Sequence, residues 1–131
     1  MIIFSARQKL YFLGSGIALG ALSWGLVSLV SNRFEPFDSG IGFIVNQAVL
    51  SFAAFGISFG FGTSASLIVL LGAYSGMNAY AYILGGSETR AWVTLGLITA
   101  LGLLVIPAIF GVLGRLLSLA ISRFRSLKKL P

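Results

Sequence analysis

Four stretches of the chain, 10–30, 41–61, 65–84 and 91–113, contain no Lys, Arg, Asp or Glu. That repeated absence of charge restricts the possible folds more than any other feature. A run of about 20 apolar residues crosses the hydrocarbon core of a bilayer as an α-helix. Inside lipid the backbone has no water to bond, so it must satisfy its own N–H and C=O groups, as a helix does. The expected fold class is therefore all-α: a single membrane domain over 1–131, built as a four-transmembrane-helix bundle with a C-terminal amphipathic interfacial helix at 114–131. Of the 131 residues 57% are hydrophobic and 9% charged, a balance unlike that of a soluble domain.

The absence of Cys and His removes thiolate and imidazole chemistry, so no metal, haem or other cofactor is expected. No nucleophile and base, paired intramembrane acids or phosphate-binding loop can be assembled, so the chain is not expected to be an enzyme.

Nine Lys and Arg stand against three Asp and Glu, and their placement predicts topology. Arg7 and Lys9 precede the first run, while Arg115, Arg123, Arg125, Lys128 and Lys129 follow the last. The first and third connections carry one cation each, Arg33 and Arg90. Positive residues stay on the cytoplasmic side, so the expected protein is multi-pass in the cell (inner or plasma) membrane, with both termini cytoplasmic. In the tail, Leu113, Leu116, Leu117, Ala120, Phe124 and Leu127 gather opposite the basic residues, an arrangement suited to anionic lipid headgroups. Nucleic acid is not an expected partner, because no reading motif accompanies the charge.

Helical spacing sorts the small and polar residues into stripes. Gly16 and Gly20 share a face with Ser23 and Val27, whereas Gly14, Ala18, Ala21 and Gly25 make the opposite side small too. Gly72 and Gly76 share a face of the third run, and Gly96 and Gly111 lie on the proline side of the fourth, near Pro107. Small-xxx-small faces let helix backbones approach closely in lipid, so these six glycines are the expected helix interface. In the second run Gln47, Ser51 and Ser58 form one stripe, Phe52, Phe55 and Phe59 a lipid-facing one, and Asn46, Ala53 and Gly60 a third. Tyr74, Asn78 and Tyr82 line the third run. Such polar groups act as interhelical glue or line a polar path. The connection at 61–64 is short enough to force an antiparallel hairpin, Gly85 and Gly86 end a helix, Ser87 is a candidate cap, and Pro107 bends the fourth span.

Three short segments resemble the small four-span fluoride channels of the Fluc type. Leu19-Gly20-Ala21 is similar to that family's first-span Gly-Ala segment, and Val45-Asn46 to its second-span Val-Asn. Residues 72–83, GAYSGMNAYAYI, resemble its broken third helix. The resemblance implies pore-lining roles for Asn46 and Tyr80 and an antiparallel dimer. The chain departs from the pattern at Trp24, where the family has Arg, at Ile83, where it has Phe, and in lacking the Thr-Thr-Phe-Ser-Thr-Phe run.

The expected function is that of a small non-enzymatic membrane protein acting by helix–helix association, as an accessory subunit or protective factor of a membrane assembly. Its partner would be another membrane protein or a second copy. The alternative is an oligomeric channel or carrier for a small ion or solute.

Overall fold

The computed structural model describes residues 3–128. It comprises α1 (Ala6–Ser31), a 3-10 turn (Pro36–Asp38), α2 (Gly40–Phe61), α3 (Thr63–Leu84), α4 (Ser87–Ala91), α5 (Val93–Gly102) and α6 (Val105–Leu127). Among the described residues there is no strand, and four helical stretches are long and apolar enough to cross a membrane, the fourth being α5 and α6 together. The chain is thus an all-helical, multi-pass membrane protein.

Local chemistry places the helix ends. Ser5 Oγ accepts a bond from the Gln8 backbone N–H, and the Ser5 N–H donates in turn to Gln8 Oε1, so α1 starts in a capping box ahead of the uncharged run. Ser39 caps α2. A single residue, Gly62 at φ 95°, joins α2 to α3; a side chain there would be strained. Ser87 does not cap α4: it is the first helical residue, and Gly86 before it offers no side chain to bond. Arg90 instead closes the end of α3, donating to the carbonyls of Tyr82 (3.1 Å) and Ile83 (3.5 Å).

The closest packing joins helices that alternate in sequence. Gly16 lies on Val69 and Gly72, and Gly20 on Ala73, so α1 and α3 run parallel with their backbones in contact. A methyl group added at Gly20 would sit 2.7 Å from the Ala73 Cα, and one at Gly72 would sit 2.9 Å from the Gly16 Cα. The second parallel pair is α2 with α6, where Gly114 rests on the Phe55 backbone. The two pairs meet antiparallel, with α2 and α3 both central: α2 touches α1, α3 and α6, while α3 touches α1, α2, α5 and α6. Trp24, Leu50, Ala73, Met77, Ala81 and Leu103 fill the space between them. Phe52 points outward, 76% exposed, as its stripe predicts for a lipid-facing ring.

The fourth span corrects the sequence reading in two ways. It is not one helix bent at Pro107 but two, broken at Leu103 and Leu104, with the proline in the first turn of α6. The proline ring occupies the nitrogen that would bond the carbonyl four residues back, so the interruption falls one turn earlier than the proline itself. Nor is the basic tail a separate element, because α6 continues from the span to Leu127 without a break.

Candidate functional site

A buried hydrogen-bonded chain crosses the bundle at mid-height. Ser23 of α1 donates to the Gly20 carbonyl (2.8 Å) and accepts from the Asn46 amide of α2 (3.1 Å). The same amide nitrogen lies 3.8 Å from the Met77 sulfur of α3. Gln47 Nε2 donates to Asn46 Oδ1 (3.2 Å) and to the Leu103 carbonyl (2.9 Å). Leu103 is the residue whose carbonyl Pro107 leaves without a backbone donor, so Gln47 replaces the missing N–H from a neighbouring helix. This is the physical reason for a glutamine at a buried position. Lower down, Ser66 of α3 donates to the Ala54 carbonyl of α2 (3.1 Å), fastening the tight hairpin.

The second feature is a cleft at the end of the bundle opposite the termini. An inner cavity of about 250 Å³ lies between α3 and α5, with Trp24 and Ala81 on the core side and Asn78, Tyr82, Glu35 and Trp92 around it. An outer vestibule of about 480 Å³ shares Glu35, Thr89, Trp92 and Leu95 with it and adds Asp38 and Glu88. All three carboxylates of the chain therefore border one space. Glu35 accepts a bond from the Thr89 hydroxyl (3.3 Å), which ties the first loop to α4.

The expected helix-interface glycines separate into two groups. Gly16, Gly20, Gly72 and Gly76 lie between α1 and α3, and Gly111 faces Ser66 and Ala54. Gly96 does not join a helix interface: it is exposed, and an added methyl group there meets nothing within 4 Å. It sits on α5, which makes little contact with the bundle beyond α3.

The expected polar path is not assembled as a single line. Asn46 and Gln47 belong to the buried chain, while Ser51 and Ser58 are buried with unpartnered hydroxyls. Tyr74 reaches the Leu97 carbonyl of α5 (3.3 Å), and Asn78 bonds the Tyr74 carbonyl of its own helix (2.8 Å). Asn78 and Tyr82 border the inner cavity, but Gln47, Ser51 and Ser58 do not. The stripes diverge because Gln47 turns toward Leu103 whereas α5 covers the Tyr74 side of α3. Sequence reasoning missed Glu35, Thr89 and Trp92, because Glu35 lies more than 50 residues from the other two and meets them only when α4 folds over the first loop.

Among the lipid-headgroup candidates, Arg123 and Arg125 are exposed on α6, Lys128 is exposed just after its end, and Arg115 is half-buried. Lys129 lies outside the described residues. The broken third helix of the fluoride-channel resemblance is not reproduced: α3 is unbroken through Gly72 and Gly76, which are held helical against α1. Tyr80 stacks on Phe34, with ring centroids 6.0 Å apart, and Asn46 is spent on Ser23. No family model matches the chain, and the searches found no characterised protein and no solved structure similar to it.

Proposed function

We propose that this protein is a non-enzymatic membrane component that acts by helix–helix association, as an accessory subunit or protective factor of a larger assembly. The surface responsible is the small-residue surface that its own fold leaves uncovered. One observation carries the reading. The fold closes Gly16, Gly20, Gly72, Gly76 and Gly111, yet Gly56 and Gly60 on α2 and Gly14 on α1 remain exposed with room for a methyl group. Gly56 and Gly60 are one small-xxx-small unit, and Gly14 forms another with Ala18, the spacing that lets a helix of a second chain pack closely in lipid. The channel or carrier alternative has less support, because the Asn46 and Gln47 amides are consumed by packing.

In the same reading the basic end, with Arg115, Arg123, Arg125 and Lys128, sits at an anionic inner leaflet and both termini are cytoplasmic. The test is crosslinking in native membranes followed by mild-detergent purification of wild type and of Gly56→Leu/Gly60→Leu. The crosslinked partner is expected to disappear in the variant while the helical content is kept. A solitary wild-type monomer, or the same crosslinks in the variant, would overturn the proposal.

A further inference from the structure

The cleft at the acidic end has the chemistry of a ligand site, and it is independent of the association surface. Its outer part is bordered by Glu35, Asp38 and Glu88 in a chain of net charge +6, and seven of the nine Lys and Arg residues belong by sequence to the other end of the bundle. Of the two cations at this end, Arg33 and Arg90, neither borders either cavity, and Arg90 is turned onto the last carbonyls of α3. Three carboxylates against two guanidiniums leave this end net negative, with the carboxylates alone at the cleft, which favours a cation. The carboxylates do not converge tightly enough to hold a metal: among the described residues no group of three acidic side chains could ligate one. What separates them is aromatic and apolar wall. Both tryptophans of the chain, Trp24 and Trp92, line the inner cavity, together with the Phe37 and Tyr82 rings. Trp24 is 7% exposed, and its indole N–H has no partner.

A hydrated inorganic cation gains little from such walls, whereas a cation carrying its own apolar body gains twice. Its charge meets the carboxylate and the negative faces of the rings, and its hydrocarbon leaves water. We propose that the cleft between the first loop, α3 and α4–α5 binds a small organic cation, an amine or quaternary ammonium on an apolar body. In it Glu35 is the counter-charge, Trp92 and Phe37 are the aromatic wall, and the inner cavity receives the body. Glu35 is central because it borders both compartments and is tied to α4 by Thr89. Asp38 and Glu88 border only the vestibule and raise the local cation concentration.

The two tryptophans make the site report on itself. The probe is benzyltrimethylammonium, titrated into the full chain in lipid nanodiscs while intrinsic fluorescence is read; its neutral carbon isostere, neopentylbenzene, and benzenesulfonate serve as controls. The expected result is saturable quenching by the cation alone, with binding about tenfold weaker in Glu35→Gln and about twofold weaker in Glu88→Gln. Trp92→Ala, at a surface position, is expected to abolish most of the affinity without loss of helix content. Circular dichroism on each variant separates a lost site from a lost fold. If Glu35→Gln does not fold, Glu35→Asp and the salt dependence of wild-type binding carry the test instead, and each is expected to weaken the cation. The inference is overturned if quenching does not saturate, if neopentylbenzene binds as tightly as the cation, or if folded carboxylate variants bind unchanged.

Discussion

The bond from Gln47 to the Leu103 carbonyl makes a quantitative claim, because its function is to stand in for a nitrogen that Pro107 lacks. Replacing Gln47 by Leu leaves that carbonyl buried with no donor, at a cost of about 1–3 kcal/mol for an unsatisfied group. Side-chain bonds between membrane helices are worth about 0.6 kcal/mol on average and reach about 1.7. Gln47 Oε1 has no partner of its own, so leucine also removes a small liability and trims the loss. A net destabilisation of about 1–2 kcal/mol is expected for Gln47→Leu. In a Pro107→Ala background the alanine N–H lies one turn beyond Leu103 and supplies the bond within the helix, so the same Gln47→Leu change should cost about 1 kcal/mol less, the remainder being the donor lost to Asn46 Oδ1 in both backgrounds. The coupling between the two sites is therefore about 1 kcal/mol, measurable by reversible unfolding in mixed detergent micelles with Trp24 and Trp92 fluorescence as the signal. If Gln47→Leu costs the same in both backgrounds to within about 0.5 kcal/mol, the carbonyl is not what the glutamine is for.

Three further outcomes follow from the packing. Gly76→Ala places a methyl group against the Ile17 backbone (2.8 Å to its carbonyl carbon) and is expected to destabilise the fold by about 1–3 kcal/mol, whereas Gly56→Ala, in open space, should be neutral or slightly stabilising in the monomer; equal effects in thermal unfolding would contradict the assignment of the two faces. Gly111→Ala meets the Ser66 hydroxyl at 2.8 Å, so Ser66→Ala should recover most of its stability even though it deletes the bond to Ala54, and no side-chain change should rescue Gly76→Ala in that way. On the proposed topology, reporter domains fused to each terminus should both be active in the cytoplasm and should lose that uniform orientation when Arg123, Arg125 and Lys128 are replaced by Glu; an extracytoplasmic C-terminus in the unaltered protein would refute it.

Much of the fold is legible in the residues because lipid imposes a simple rule. A charge-free run long enough to span must be helical, and so the four crossings, the hairpin at Gly62 and the outward phenylalanine at Phe52 follow from spacing alone. The fourth span was less legible. Pro107 signals a lost bond, but whether the helix bends there or breaks a turn earlier depends on whether a donor such as Gln47 stands opposite the freed carbonyl. Ser87 illustrates a similar limit: α4 begins one residue earlier than a serine cap requires, so Ser87 is its first helical residue and Gly86 stands at the cap position.

By itself the sequence determined the all-helical class, the four stretches apolar and long enough to cross a membrane, and which glycines share a helical face, since these depend on local hydropathy and on the 3.6-residue period. Only the tertiary structure decided what those faces meet. Two equally small stripes on one helix are indistinguishable in sequence, and the choice between Gly16 closing onto Gly72 and Gly14 staying open is made by the register of two helices 50 or more residues apart. The same holds for the acidic cleft. Glu35 and Trp92 have no relation along the chain, and they border one space because α4 returns over the first loop, a consequence of long-range packing that no local pattern encodes.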